Sequence, residues 1–136
     1  MFLQTGNRLD GDPMQKTVKT MVTFAGLGLH SGRVVSLTIL PAAAEFGIWF
    51  KRTDVTGKDP MIAAHWQNAQ HSALCTRLMN DDNVSVATVE HLMAALFGCG
   101  ISNALVEINA EEMPILDGSS VEFVRGILRV GIVEQN

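Results

Sequence analysis

The sequence predicts an α+β fold in which two helices pack on one face of a mixed β-sheet, giving two layers. Three observations carry that expectation: β-rich runs fill most of the first half, two stretches of helical period lie in the second, and one strand-like run separates them. A doubly wound parallel sheet would instead alternate strand and helix throughout. The length of 136 residues suits one domain.

Taken in order, residues 1–15 contain Asp10, Asp12, Pro13 and two glycines, lack the unbroken apolar core of a secretory signal, and read as a flexible N-terminal tail. A single domain is expected over 16–136. Runs at 17–24, 33–40, 47–53 and 73–79 read as strands because β-branched and apolar residues are bounded by Gly, Pro, Asn or Asp. Between the first two lies Gly26-Leu27-Gly28-Leu29-His30-Ser31-Gly32, expected to form a tight hairpin. It is not a P-loop, since the Gly-Lys-Ser/Thr ending is missing.

Asn80-Asp81-Asp82-Asn83 marks a turn, 84–86 is extended, and 88–97 (TVEHLMAALF) has helical period with Val89, Leu92, Met93, Leu96 and Phe97 on one stripe. Gly98-Cys99-Gly100 stops that helix. Residues 103–109 form a strand. A loop at 110–118 leads to Ser119-x-x-Glu122, which has the capping-box form, and Val121, Val124, Ile127 and Leu128 are expected to be the buried face of a second helix ended by Gly131.

The formal charge of −4 offers no basic face for nucleic acid, and no stretch approaches the roughly 18 apolar residues of a membrane span. The two cysteines, Cys75 and Cys99, have neither disulfide-framework nor zinc-finger spacing, which suits a reducing cytoplasm.

Glu90 and His91 are adjacent near the start of the first helix, about 100° apart, so both can face one pocket mouth. A neutral imidazole can ligate zinc while a neighbouring carboxylate takes a proton from metal-bound water. Read locally, however, Glu in a first turn favours the helix dipole, and an isolated His is usually structural. Ala87, three residues before Glu90, offers no side-chain cap, so Glu90 is expected to be less firmly oriented. His65 and His71 are expected to have surface or core roles, with His71 at a strand start.

Five segments together, Gly26 to Gly32, Arg52-Thr53-Asp54, Leu74-Cys75-Thr76, Thr88-Val89-Glu90-His91-Leu92 and Pro114-Ile115-Leu116-Asp117-Gly118-Ser119, closely resemble the N-terminal domain of the UDP-3-O-acyl-N-acetylglucosamine deacetylases. They keep that family's order and spacing over about residues 16 to 135.

The resemblance implies a zinc hydrolase of lipid A biosynthesis that removes acetate from the nitrogen of a UDP-linked, 3-O-acylated glucosamine. It implies Glu90 as general base and His91 as first zinc ligand. His30 and the segment Leu74, Cys75 and Thr76 are implied to lie beside the site and meet substrate, and Asp117 belongs to a matching loop without an assigned role. Zinc would polarise the acetamide carbonyl and acidify its water, and Glu90 would receive the proton. The family's other two ligands, a His and an Asp four residues apart, sit on a helix of a second domain of similar topology.

Within this sequence the positions four residues either side of His91 are Ala87 and Ala95, so no local partner completes the ligand set. The expected arrangement is therefore an incomplete metal site that needs a second domain, a partner polypeptide or a dimer mate. A homodimer would replace the pseudo-two-fold by a true one. The alternative is a catalytically inactive binding or interaction module that retains the fold.

Overall fold

Alternation along the strands decides where the core lies. In a computed structural model of the chain, which describes residues 14–71 and 75–135, ten strands and two α-helices follow one another. They are β1 (Gln15–Val18), β2 (Val22–Leu27), β3 (Val34–Pro41), β4 (Ile48–Arg52), β5 (Met61–Ala63), β6 (Ala69–His71), β7 (Thr76–Met79) and β8 (Ser85–Ala87). Then come α1 (Glu90–Gly98), β9 (Ala104–Ile108), α2 (Val121–Val130) and β10 (Ile132–Gln135).

The main sheet has the order β2-β3-β9-β4-β5, antiparallel except for the parallel β4/β9 pair. Every second residue of its inner strands is buried: Val35, Leu37 and Ile39 on β3, Ala104, Val106 and Ile108 on β9, Ile48 and Phe50 on β4. Their intervening neighbours are partly exposed, as period 2 requires of a sheet covered on one face. The covering layer is the helix pair, through Leu92, Met93, Ala95 and Leu96 of α1 and Phe123 and Ile127 of α2, all in the same apolar cluster. The expected α+β class is borne out.

Phe123 meets Phe24 edge to face with ring centroids 5.0 Å apart. Gly126 makes that packing possible, since a Cβ there would run into the Phe24 ring.

Several local expectations give way to tertiary structure. The run at 17–24 is two strands, because exposed Lys19, Thr20 and Met21 turn the chain and the Lys19 N–H bonds the Gly131 carbonyl at 2.8 Å. β1 pairs with β10 instead of joining the main sheet. Strand β10, like the short β5 and β6, carries too few alternating residues to stand out in the sequence.

On α2 the buried residues are Phe123, Gly126 and Ile127, whereas Val121 and Leu128 are exposed. The close approach of Phe24 at Gly126 rotates the covered face away from them. The capping box does not form as expected. The Ser119 hydroxyl donates to Asp117 at 2.9 Å and accepts from the Val121 N–H at 3.3 Å, so Ser120 occupies the cap position. Phe97 of α1 is likewise exposed, and Ala95 is buried in its place. Of the flexible tail expected at 1–15, residues 1–13 lie outside those described, and Gln15 begins β1.

Candidate active site

Two turns meet at the edge of the fold, and residues 111–115 stitch them together. The Ala87 N–H bonds the Glu111 carbonyl at 2.8 Å and the Met113 N–H bonds the Ala87 carbonyl at 3.1 Å, joining this segment to the end of β8. Two residues on, the Ile115 N–H bonds the Leu27 carbonyl at 2.8 Å, joining it to the end of β2. One short extended stretch therefore fixes the glycine-rich turn relative to the chain that enters α1.

At the α1 entry, Thr88 carries φ of +65°, a left-handed backbone that strains a β-branched residue. The strain turns the chain sharply from β8 into the helix. It is held by the Thr88 N–H, which bonds the Thr76 carbonyl at 2.9 Å. The Thr88 hydroxyl is buried, and Oγ1 has no hydrogen-bond partner among the described residues. One residue later Val89 caps the helix without any side-chain bond.

Glu90 is nevertheless oriented, contrary to expectation: its Oε1 accepts the Thr76 N–H at 3.1 Å. A strand neighbour thus supplies the fixing contact that a missing N-cap side chain could not. Glu90 itself is exposed and sits in the first turn, where the helix dipole favours its charge. His91 beside it is half-buried.

An open cavity of about 440 Å³ lies nearby, lined by His30, Gln70, His71, Cys75, Arg77, Ala87, Glu111 and Glu112. The structure brings His30 and Cys75 to this cavity, and Thr76 links to its wall because Thr76 Oγ1 lies 3.4 Å from His71 Nδ1. Glu90 and His91 stand at the adjoining helix start. Leu74 lies outside the described residues.

Two features escaped the sequence reading. His71 ends β6 instead of starting a strand, and it faces the cavity. Glu112, in what looked like a plain loop, is buried; Oε1 accepts the His30 N–H at 2.7 Å and Oε2 the Ser31 N–H at 3.2 Å. The only signal was an acidic residue directly before the apolar run Met113-Pro114-Ile115-Leu116.

At the start of β8, Arg52 grips Asp54 through two 2.8 Å bonds and donates to the Ser85 carbonyl at 2.7 Å. The guanidinium bonds hold the Asp54 carboxyl below the usual carboxylate range. Asp117 is also lowered, chiefly by the Ser119 hydroxyl, and is fully exposed in its loop.

Among the described residues no three His, Cys, Asp or Glu side chains gather so as to hold a metal ion. His91 can offer one imidazole, but the donors present do not compose a zinc centre.

The sequence matches the profile of the UDP-3-O-acyl N-acetylglycosamine deacetylase family over residues 15–136. The chain belongs to that family. Relatives named UDP-3-O-acyl-N-acetylglucosamine deacetylase are 48% identical over 124 residues in Vibrio vulnificus and 48% over 122 in Shewanella loihica. A third, from Aliivibrio fischeri, is 46% identical over 124 residues. Each match covers 90% of this chain and 40% of the relative, so the chain spans about two-fifths of the length of these curated deacetylases. Among the described residues no helix is long and apolar enough to cross a membrane.

Proposed function

We propose that this chain supplies the N-terminal part of a cytoplasmic zinc-dependent deacetylase that hydrolyses the N-acetyl group of a UDP-linked, 3-O-acylated glucosamine on the route to lipid A. Glu90 is its general base, and His91 is one ligand of a zinc ion whose remaining ligands come from a second domain, a partner polypeptide or a second copy of the chain. His30, Leu74, Cys75 and Thr76 are its substrate-binding residues, Leu74 by the match of its motif alone.

The observation that supports this reading best is the state of Glu90. Its carboxylate is exposed, beside an imidazole, and oriented by one backbone donor on Oε1. Oε2, which has no hydrogen bond among the described residues, is left to take the proton of an attacking water and to return it to the departing amine. A carboxylate saturated by hydrogen bonds could orient neighbours but would be a poor proton acceptor.

Fusing the chain to the segment that continues the Vibrio vulnificus relative, and following acetate release from the UDP-linked substrate, tests the proposal. The chain alone should release none, and the fusion should turn over with zinc. Glu90→Gln in the fusion should lower kcat about 100-fold or more. A folded fusion that binds zinc yet releases no acetate would leave the inactive binding module as the better reading.

A further inference from the structure

Arg77 is a cation at the cavity that the proposed hydrolysis does not use. In the three-stranded sheet β6-β7-β8 it lies on the middle strand, directly opposite Gln70 of β6 on one side and Ala87 of β8 on the other. All three residues line the cavity. Directly opposed residues share one face of a sheet, so Arg77 stands in a row with a neutral amide and a methyl group, and no carboxylate belongs to that row.

Its hydrogen bond among the described residues runs from Nη1 to the Ser85 hydroxyl at 3.0 Å, and Ser85 is buried. That contact orients the head group and leaves its other N–H groups to bond elsewhere. Arg52 meets the same serine in the opposite manner: it donates to the Ser85 carbonyl while Asp54 neutralises it through two 2.8 Å bonds. Among the described residues no carboxylate pairs with Arg77. The two acidic residues on the cavity wall leave its charge unmet. Glu112 is buried and directs its oxygens to the N–H groups of His30 and Ser31, and Glu111 is exposed to water.

A guanidinium of this kind, steadied by a neutral hydroxyl and facing an open cavity, suits anionic oxygens, which its planar fork meets through two parallel N–H groups. We infer that Arg77 is a substrate-binding residue that takes phosphoryl oxygens. In a UDP-linked sugar those oxygens belong to the diphosphate, so Arg77 lays the nucleotide arm along the β6-β7-β8 sheet. The inference rests on the proposed function for its substrate and adds to it the residue that grips the charged part.

Side-chain proton–nitrogen NMR of the whole chain at low ionic strength, where charge contacts are least screened, reads the contact directly. UDP should move the Arg77 Nε–H signal, and uridine should not. Arg77→Gln should weaken UDP binding about ten-fold or more, whereas Lys19→Gln, which removes an exposed cation beside Gly131, should leave it unaltered. An Arg77 signal unmoved by UDP up to about 10 mM overturns the inference, as does equal UDP affinity in a folded Arg77→Gln chain. Uridine moving the signal as far as UDP would overturn it too. Inorganic phosphate binding as tightly as UDP would assign the site to the free ion and remove it from the diphosphate. If Arg77→Gln fails to fold, the wild-type signal decides. Neither zinc nor turnover enters the measurement, so its failure would leave the deacetylase reading standing, and an inactive fusion would leave the phosphoryl contact standing.

Discussion

Two glutamates anchor the two turns of the candidate site by opposite means. Glu112 is buried and gives both oxygens to the turn at His30 and Ser31. Glu90 is exposed and, among the described residues, takes a single backbone donor, from Thr76. Burial and saturation commit the first carboxylate to architecture, whereas exposure with one fixing bond gives the second direction without using up its capacity to accept. The residue type alone does not separate the roles; the count of donors does.

The contrast can be broken most directly in the fused enzyme. Glu90→Gln should lower kcat about 10²- to 10⁴-fold while changing unfolding free energy by less than about 0.5 kcal/mol. A stability loss as large as the activity loss would place Glu90 in the same structural class as Glu112. Glu112→Met should show the reverse balance, costing about 2–3 kcal/mol in denaturant unfolding because it strands two backbone N–H groups. An unfolding midpoint equal to that of wild type would dissolve the comparison.

Smaller changes sharpen it. Thr88→Val keeps the branched shape and the φ of +65° but deletes the buried hydroxyl that has no partner among the described residues. It should raise stability by about 1 kcal/mol in thermal unfolding; a loss instead would mean that the hydroxyl is satisfied in solution.

The least effect belongs to Asp54, which steadies Arg52 against the Ser85 carbonyl of β8. Its carboxyl is lowered in the folded state by the Arg52 bonds, so its contribution is fully present above the ordinary carboxylate range near about pH 4 and fades as pH falls through the lowered value. The stability difference between wild type and Asp54→Asn should therefore shrink on acidification from neutral pH. A constant difference would detach the ion pair from the acid sensitivity of this side of the site.

Legibility in the sequence followed the range of the interactions. Period 2 in β3 and period 3.6 in α1 arise from residues a few positions apart, so the α+β class and the helix bearing Glu90 and His91 could be read directly. Glu112 and His30 are 82 positions apart, and nothing local to either marks the pair. The burial of Phe123 and exposure of Leu128 likewise depend on Phe24 meeting Gly126 from another element. The resemblance supplied Glu90, His91 and His30 through their motifs. It gave no hint that Thr76 orients Glu90 through its backbone, since a backbone contact leaves no side-chain signature.

Pairing of β1 with β10 places Gln15 opposite Gln135, and the buried Asn103 amide donates to both side chains at 2.9 Å. The first and last strands thus leave the fold at a common corner. Circular permutation should be tolerated there: a short linker joining that corner, with new ends opened at the exposed 56–58 turn, would keep every strand partner described. Any polypeptide appended beyond either strand would likewise set out from one place, which fixes where an additional module must begin.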